Sequence, residues 1–265
     1  MRRNQPFWGV ILLLLGGLLL ADSMGVRLPN ETRFINLFWP ALLLLTGAWI
    51  LFGIFFRGAI ETEQASIDLE GASSANLKIN HGAGEIKLHS GGSASELLHG
   101  SFDGGLDKKV NRNGDRLEVR MRPAKDVLDF PFWGPQSQIN WDVALNPNIA
   151  IDLNLNLGAN KSVIDLQDLN VTNIDLDTGA SDSTITLPSR GRFRADFDLG
   201  AASLVVIIPA GVSARILAQV AAGDIHVDRQ RFPSSGKYFQ SPDFETAANA
   251  VDMTMDAGAA SIKIK

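Results

Sequence analysis

Two unbroken apolar runs, followed by a long stretch of strict alternation, divide this chain by pattern alone. Residues 7–21 read FWGVILLLLGGLLLA and residues 37–56 read LFWPALLLLTGAWILFGIFF, neither with a charged side chain. A helix needs about 20 apolar residues to cross a bilayer core, so the second run predicts a full transmembrane span. The first run is shorter and ends at Asp22. Arg2 and Arg3 ahead of it also fit a secretory signal, but a second span arriving so soon makes a transmembrane hairpin the better reading. Mutual packing or local thinning of the bilayer accommodates a short span. Gly9, Gly16, Gly17, Gly47 and Gly53 permit close approach of two helices. Trp8, Trp39 and Trp49 stand near the span ends, where indole rings favour the interface.

Further along, the period changes to two. LNLNLGANKSVIDL (153–166), IDLDTGASDSTITL (174–187) and ADFDLGAASLVVII (195–208) align without a gap, with pivots Gly158, Gly179 and Gly200 spaced 21 residues apart. A looser copy, ILAQVAAGDIHV (216–227), has Ala221 at the pivot, and VDMTMDAGAASIKIK (251–265) repeats the motif at Gly258. An upstream copy, LKINHGAGEIKLH (77–89), carries Gly82-Ala83. Repeats of this length with two short strands each predict a β-solenoid, whose coils bury a core only by stacking. The predicted fold is all-β, a single-stranded β-solenoid of about 21-residue coils, preceded by the two-helix hairpin. Alternation sends Ile174 and Leu176 inward and Asp175 and Asp177 outward. At each pivot, glycine is expected to supply a positive φ, and alanine to fit a crowded interior.

These patterns place the hairpin at residues 1–60 and the solenoid at 61–265, with an inserted region at about 100–137. Within that insert, Asn113-Gly114 between two alternating runs predicts a β-hairpin. It reads as an insertion or as an edge ribbon. DVLDFPFWGPQSQINW then reads as a loop rich in aromatics and proline.

Composition removes several chemistries. The chain has 265 residues, a formal net charge of -5 and no cysteine. That excludes disulfides, thiolate metal sites and a cysteine nucleophile, and the mild acidity argues against nucleic acid. Asp165, Asp168, Asp175, Asp177 and Asp182 cluster in sequence. They alternate along strands rather than converging on a loop, so solvated carboxylates are a better account than a calcium site. Glycosidase chemistry needs two carboxyls about 5 to 9.5 Å apart across a cleft, and a repeat supplies such pairs by accident. His81, His89 and His99 match no zinc spacing and read as surface histidines. The LGAN and LGAA turns open no helix, so they do not read as phosphate loops. No catalytic, metal or cofactor residue is expected, and the chain reads as a non-enzyme.

Two candidate interaction surfaces remain. Lys108, Lys109, Arg112, Arg116 and Arg120, with Arg122 and Lys125, form a basic cluster that suits either anionic headgroups or a charge-blunted strand edge. Phe130, Phe132 and Trp133 form an apolar cluster among prolines. Capping an open solenoid end is favoured there over partner docking. The terminal SIKIK, taken as the last coil, would hinder edge-on stacking through its lysines.

The Arg-bearing start, FWGVILLLLGGLLL, the short polar loop and FWPALLLLTGAWIL together resemble the membrane region of the LiaI and LiaF envelope-stress proteins. WDVALNP (141–147) followed by IDLNLNLGANKSVIDLQDLNVTNIDLDTGAS resembles the soluble domain of LiaF-like proteins and the related toastrack β-solenoids. FETAANAVDMTMDAGAASIKI resembles that domain's last coil, and residues 90–135 fit poorest. The resemblance implies a bacterial membrane protein that senses or modulates envelope stress, often by restraining a sensor histidine kinase. It carries no active-site residues. A membrane scaffold assembling through the solenoid is the alternative, and a carbohydrate-active β-helix enzyme ranks third. Arg2, Arg3 and Arg57 on one side of the spans, against Arg27 and Arg33 on the other, lean the β domain toward the cytoplasm.

Overall fold

The computed structural model describes residues 62–124 and 139–265. It also describes Leu13, Gly16, Gly17, Leu20, Trp39, Pro40, Leu42, Leu43, Leu44, Thr46 and Gly47, all helical. Thr46 Oγ1 donates to the Leu42 carbonyl at 2.7 Å, one helical turn back. No helix among the described residues is long and apolar enough to cross a membrane. The two spans expected over 7–21 and 37–56 otherwise lie outside the described residues, as do Lys125, Phe130, Phe132 and Trp133.

The β unit contains β1 (Thr62–Asp68), β2 (Ser74–Ser90), β3 (Glu96–Asp103), β4 (Leu106–Asn113), β5 (Arg116–Pro123) and β6 (Ile139–Leu145). These are followed by β7 (Ala150–Asp165), β8 (Asn170–Thr186), β9 (Arg192–Ile207), β10 (Ser213–Val227), β11 (Ser234–Ser235), β12 (Tyr238–Gln240) and β13 (Ala250–Ile264). The all-β expectation holds: the long strands stack in parallel in one open sheet, in the order β2-β7-β8-β9-β13-β10.

Each long strand bends once, and its burial pattern shows where. In β7, Ile151, Leu153, Leu155 and Leu157 are buried, Gly158 and Ala159 are both exposed, and Asn160, Ser162 and Ile164 are buried again. Two successive outward residues reverse the parity, so both halves of the bent strand face one core. The same switch recurs in β8, β9 and β13. Stacking places Leu77, Leu153, Ile174, Ala195 and Met253 in one buried column before the bend and Leu88, Ile164, Ile185, Val206 and Ile264 in another after it. Burying a side chain of this size contributes about 1.5–3 kcal/mol, which is why the repeat must stack.

The pivot chemistry differs from expectation. Gly158, Gly179, Gly200 and Gly258 do not have positive φ. A Cβ at Gly158 would lie 2.2 Å from the Gly82 carbonyl oxygen, and one at Gly200 would lie 2.5 Å from that of Gly179. Glycine stands there because successive coils approach backbone to backbone. The following alanines, Ala159, Ala180, Ala201 and Ala259, lie on the exposed outer side of the corner rather than in the interior.

Strand order holds a second correction. The last strand in sequence is not the last coil: β13 pairs with β9 along one side and with β10 along the other. Backbone bonds from Ile208 N to Lys265 O and from Asp228 N to Ile264 O fix both flanks. SIKIK is therefore interior to the sheet and guards no edge. At the other end of the stack, β5 pairs in parallel with the first half of β2, and β6 with its second half. The hairpin read as an insert thus supplies a stacking strand. Its loop is Gly114-Asp115, with Gly114 at φ 60° in the first loop position, as a type II′ turn requires.

Candidate functional site

The first halves of the strands present one outer face, and their register sorts its charges into rows. Along one row stand Lys109 of β4, Arg120 of β5, Lys78 of β2, Asn154 of β7, Asp175 of β8, Asp196 of β9 and Thr254 of β13. Neighbouring strands lie about 4.8 Å apart, so the row runs from three cations through a neutral centre to two carboxylates. The next row ends in Asp177, Asp198 and Asp256, directly opposite one another. Among the described residues, Lys78, Lys109 and Arg120 have no ion-pair partner, and the acidic group has one, Arg194 Nε to Asp196 Oδ2 at 3.4 Å.

This arrangement divides the predicted basic cluster. Arg116 bonds to Asp152, and Arg112 bonds to the Glu70 carbonyl and, at 2.9 Å, to that of Gly114. Lys108 Nζ donates to the Ser66 carbonyl at 2.7 Å, and Arg122 pairs with Asp107 at 2.7 Å. Arg116, Arg112 and Lys108 thus hold the ribbon to its neighbours, and the Arg122 pair ties its two strands together. Among the described residues of that cluster, Lys109 and Arg120 have no such partner and remain available, joined by Lys78 on β2.

A second polar concentration lies where residues 241–249 pass beside β9, β13 and β10. Arg215 grips Asp252 with Nε to Oδ1 at 3.1 Å and Nη2 to Oδ2 at 2.5 Å, and stacks over Phe244 at 4.7 Å. The Asp252 hydrogen bond, ahead of burial, raises the Arg215 pKa further above its ordinary value. Arg192 donates to the carbonyls of Phe244 at 3.2 Å and Ala247 at 2.7 Å. Arg192, Arg194, Arg215, Glu245 and Asp252 line a shallow cleft of about 310 Å3. The sequence pattern did not flag these arginines, because only the position of β13 brings Asp252 between Arg194 and Arg215.

His81, expected at the surface, is 1% exposed and fills an inward position of β2. Its parity in LKINH, two after Ile79, was the available signal. His81 Nδ1 donates to Asn160 Oδ1 at 2.7 Å, and Asn160 Nδ2 donates back to the His81 carbonyl at 2.7 Å. The ring lies edge-on to Trp141 at 5.1 Å, and Nε2 has no hydrogen-bond partner among the described residues. Burial lowers its pKa below the ordinary histidine value, against weaker pulls from Asn160 and the Ile139 backbone. His89, by contrast, is raised by the Ser90 carbonyl and, after a burial effect of opposite sign, by Asp142 at 2.9 Å. Among the described residues, no group of three or more His, Asp or Glu side chains is placed to hold a metal ion.

What these features define is a repetitive β-solenoid module with charged outer faces. Residues 56–207 match the family model for the N-terminal domain of toast_rack, DUF2154. Residues 6–51 match the LiaI-LiaF-like transmembrane region. The chain belongs to the toast_rack family, in the LiaI/LiaF-like architecture of a membrane region ahead of the β domain. No curated protein matches it. Among solved structures, it is similar to a "putative cell adhesion protein" from Clostridium sporogenes ATCC 15579, with TM-score 0.68 and 19% identity over 78% of this chain and 99% of that one. That likeness bears on fold alone. A "putative adhesin" from Bacteroides fragilis NCTC 9343 aligns with TM-score 0.34 and 9% identity over 79% of this chain and 98% of that one.

Proposed function

We propose that this protein is a membrane-anchored, non-catalytic interaction module that modulates cell-envelope stress signalling in a bacterium. The observation that carries this reading is the union, in one chain, of a LiaI-LiaF-like transmembrane region and a toast_rack β domain. Among the described residues, the charged groups of the β domain stand in rows along its outer face and in one shallow cleft. Its partner in this reading is a membrane protein, with a sensor histidine kinase as the first candidate, and the β domain faces the cytoplasm.

The test is a deletion strain challenged with a cell-wall-active antibiotic while kinase phosphorylation and the transcripts it controls are followed. An elevated or unrestrained response supports the reading. A response identical to the parent strain, in a background where the protein is normally expressed, would sink it.

A scaffold reading draws support from one feature. β10 pairs with β13 along its whole length, but on its other side meets β12 only at Arg215 and Ile216. Among the described residues, the edge beyond Ile216 is therefore unpaired, and Ala218, Val220, Ile225 and Val227 are only partly covered. An open edge of this kind is a template for strand addition. Sedimentation of the full chain in detergent separates the two readings, since a scaffold grows with concentration beyond any small oligomer.

A further inference from the structure

We infer that the outer face of the first-half sheet docks a second copy of this chain, through a two-fold axis lying along the strands above β7. The inference rests on the register of the charged rows and not on the signalling reading.

A rotation about that axis carries β2 opposite β8 and β5 opposite β9 of the second copy. Lys78 then faces Asp175, and Arg120 faces Asp196. One row lower, Glu118 of β5 faces Arg194 of β9. Asn154, on the axis, faces its own copy, an uncharged pairing that two-fold symmetry permits. Asp152, on the same central strand, would meet its own copy too, but its charge is already matched by Arg116 and bonded by Thr172. Every off-axis contact occurs twice, as an isologous interface requires.

The occupant is argued from this complementarity. A wholly acidic partner would satisfy Lys78, Lys109 and Arg120 and be repelled by the aspartates, whereas a wholly basic one would meet the reverse. A second copy satisfies both ends at once, and like-charge juxtaposition in any shifted register opposes wrong alignments. Face-to-face sheets pack about 10 Å apart, a gap that lysine, arginine and carboxylate side chains can bridge between them.

The absence of cysteine makes the test direct. Asn154→Cys in the full chain, in its native membrane, should give a dimer-mass product with a short bismaleimide. Lys263→Cys, on the exposed side of the second-half sheet, should stay monomeric. Lys78→Asp should cut the Asn154→Cys product about tenfold, and Asp175→Lys should do the same. Lys78→Asp together with Asp175→Lys should restore it, which also shows that the variants fold. The inference is overturned by no product at Asn154→Cys, by equal product at Lys263→Cys, by a product of another mass, or by charge reversal without effect.

Discussion

Replacing His81 with leucine should change how the stability of this protein depends on pH. The ring is buried with Nδ1 donating to Asn160 and Nε2 without a partner, so a second proton would have to sit desolvated on Nε2. Folding therefore favours the neutral ring, and burial lowers the pKa. The unfolded chain takes up that proton near the ordinary histidine value of 6.5. Stability from this group is thus fully present above that pH and declines as pH falls toward the lowered folded value. The decline is about 1.4 kcal/mol for each pH unit in that window. His89 acts in the opposite sense, because its raised pKa contributes stability that is lost as pH rises through the folded value. Its side chain is 45% exposed and screened by solvent. The wild-type curve mixes the two, and the difference between wild type and His81→Leu isolates one.

Leucine suits the site, since Leu157 occupies the register position on β7. It leaves Asn160 Oδ1 without its donor, a loss of about 1–3 kcal/mol, partly offset by added apolar burial. The variant should therefore be less stable near pH 7.5 by about 1–2 kcal/mol. That deficit should shrink as pH falls from 7.5 to 5.5, by at most about 1.4 kcal/mol. Urea unfolding of the full chain in detergent micelles, followed by far-ultraviolet circular dichroism at both pH values, measures it. A deficit that stays the same at the two pH values would refute the buried neutral histidine.

Three further outcomes follow from the stacking. Gly158→Ala should destabilise by about 1–3 kcal/mol, because the added Cβ meets the Gly82 carbonyl at 2.2 Å; an unchanged urea midpoint would contradict the close approach. Asp198→Asn should stabilise by about 0.2–1 kcal/mol by relieving the Asp177-Asp198-Asp256 row. The gain should vanish at high salt, where such exposed repulsion is screened. Deleting residues 250–265 should release β10 and residues 228–249 as well, seen as rapid proteolysis from about residue 213 onward, because β13 bridges β9 and β10. A truncated chain that kept β10 protected would show that β10 can close onto β9 directly.

Alternation and pivot spacing by themselves determined the corner in each repeat, the inward columns and the outward aspartates, although the two short strands read in each repeat are one long bent strand. Side-chain direction in a strand follows from parity alone, and a one-residue slip would expose every inward leucine. Ala221, read as the fourth pivot, indeed lies opposite Gly258, between the pairs Val220-Ala257 and Ala222-Ala259. What local pattern leaves open is which copy lies beside which. The copies share one pattern, so parallel neighbours are close to interchangeable by sequence, and long-range closure selects among them. Here Arg215 clasping Asp252, Arg192 holding the carbonyls of Phe244 and Ala247, and buried Phe232 and Phe244 place the final strand inside the stack. The same limit applies to charge. Lys78, Arg120, Asp175 and Asp196 are spread over more than a hundred residues of chain, and only the register of five strands, β5, β2, β7, β8 and β9, sets them in one row.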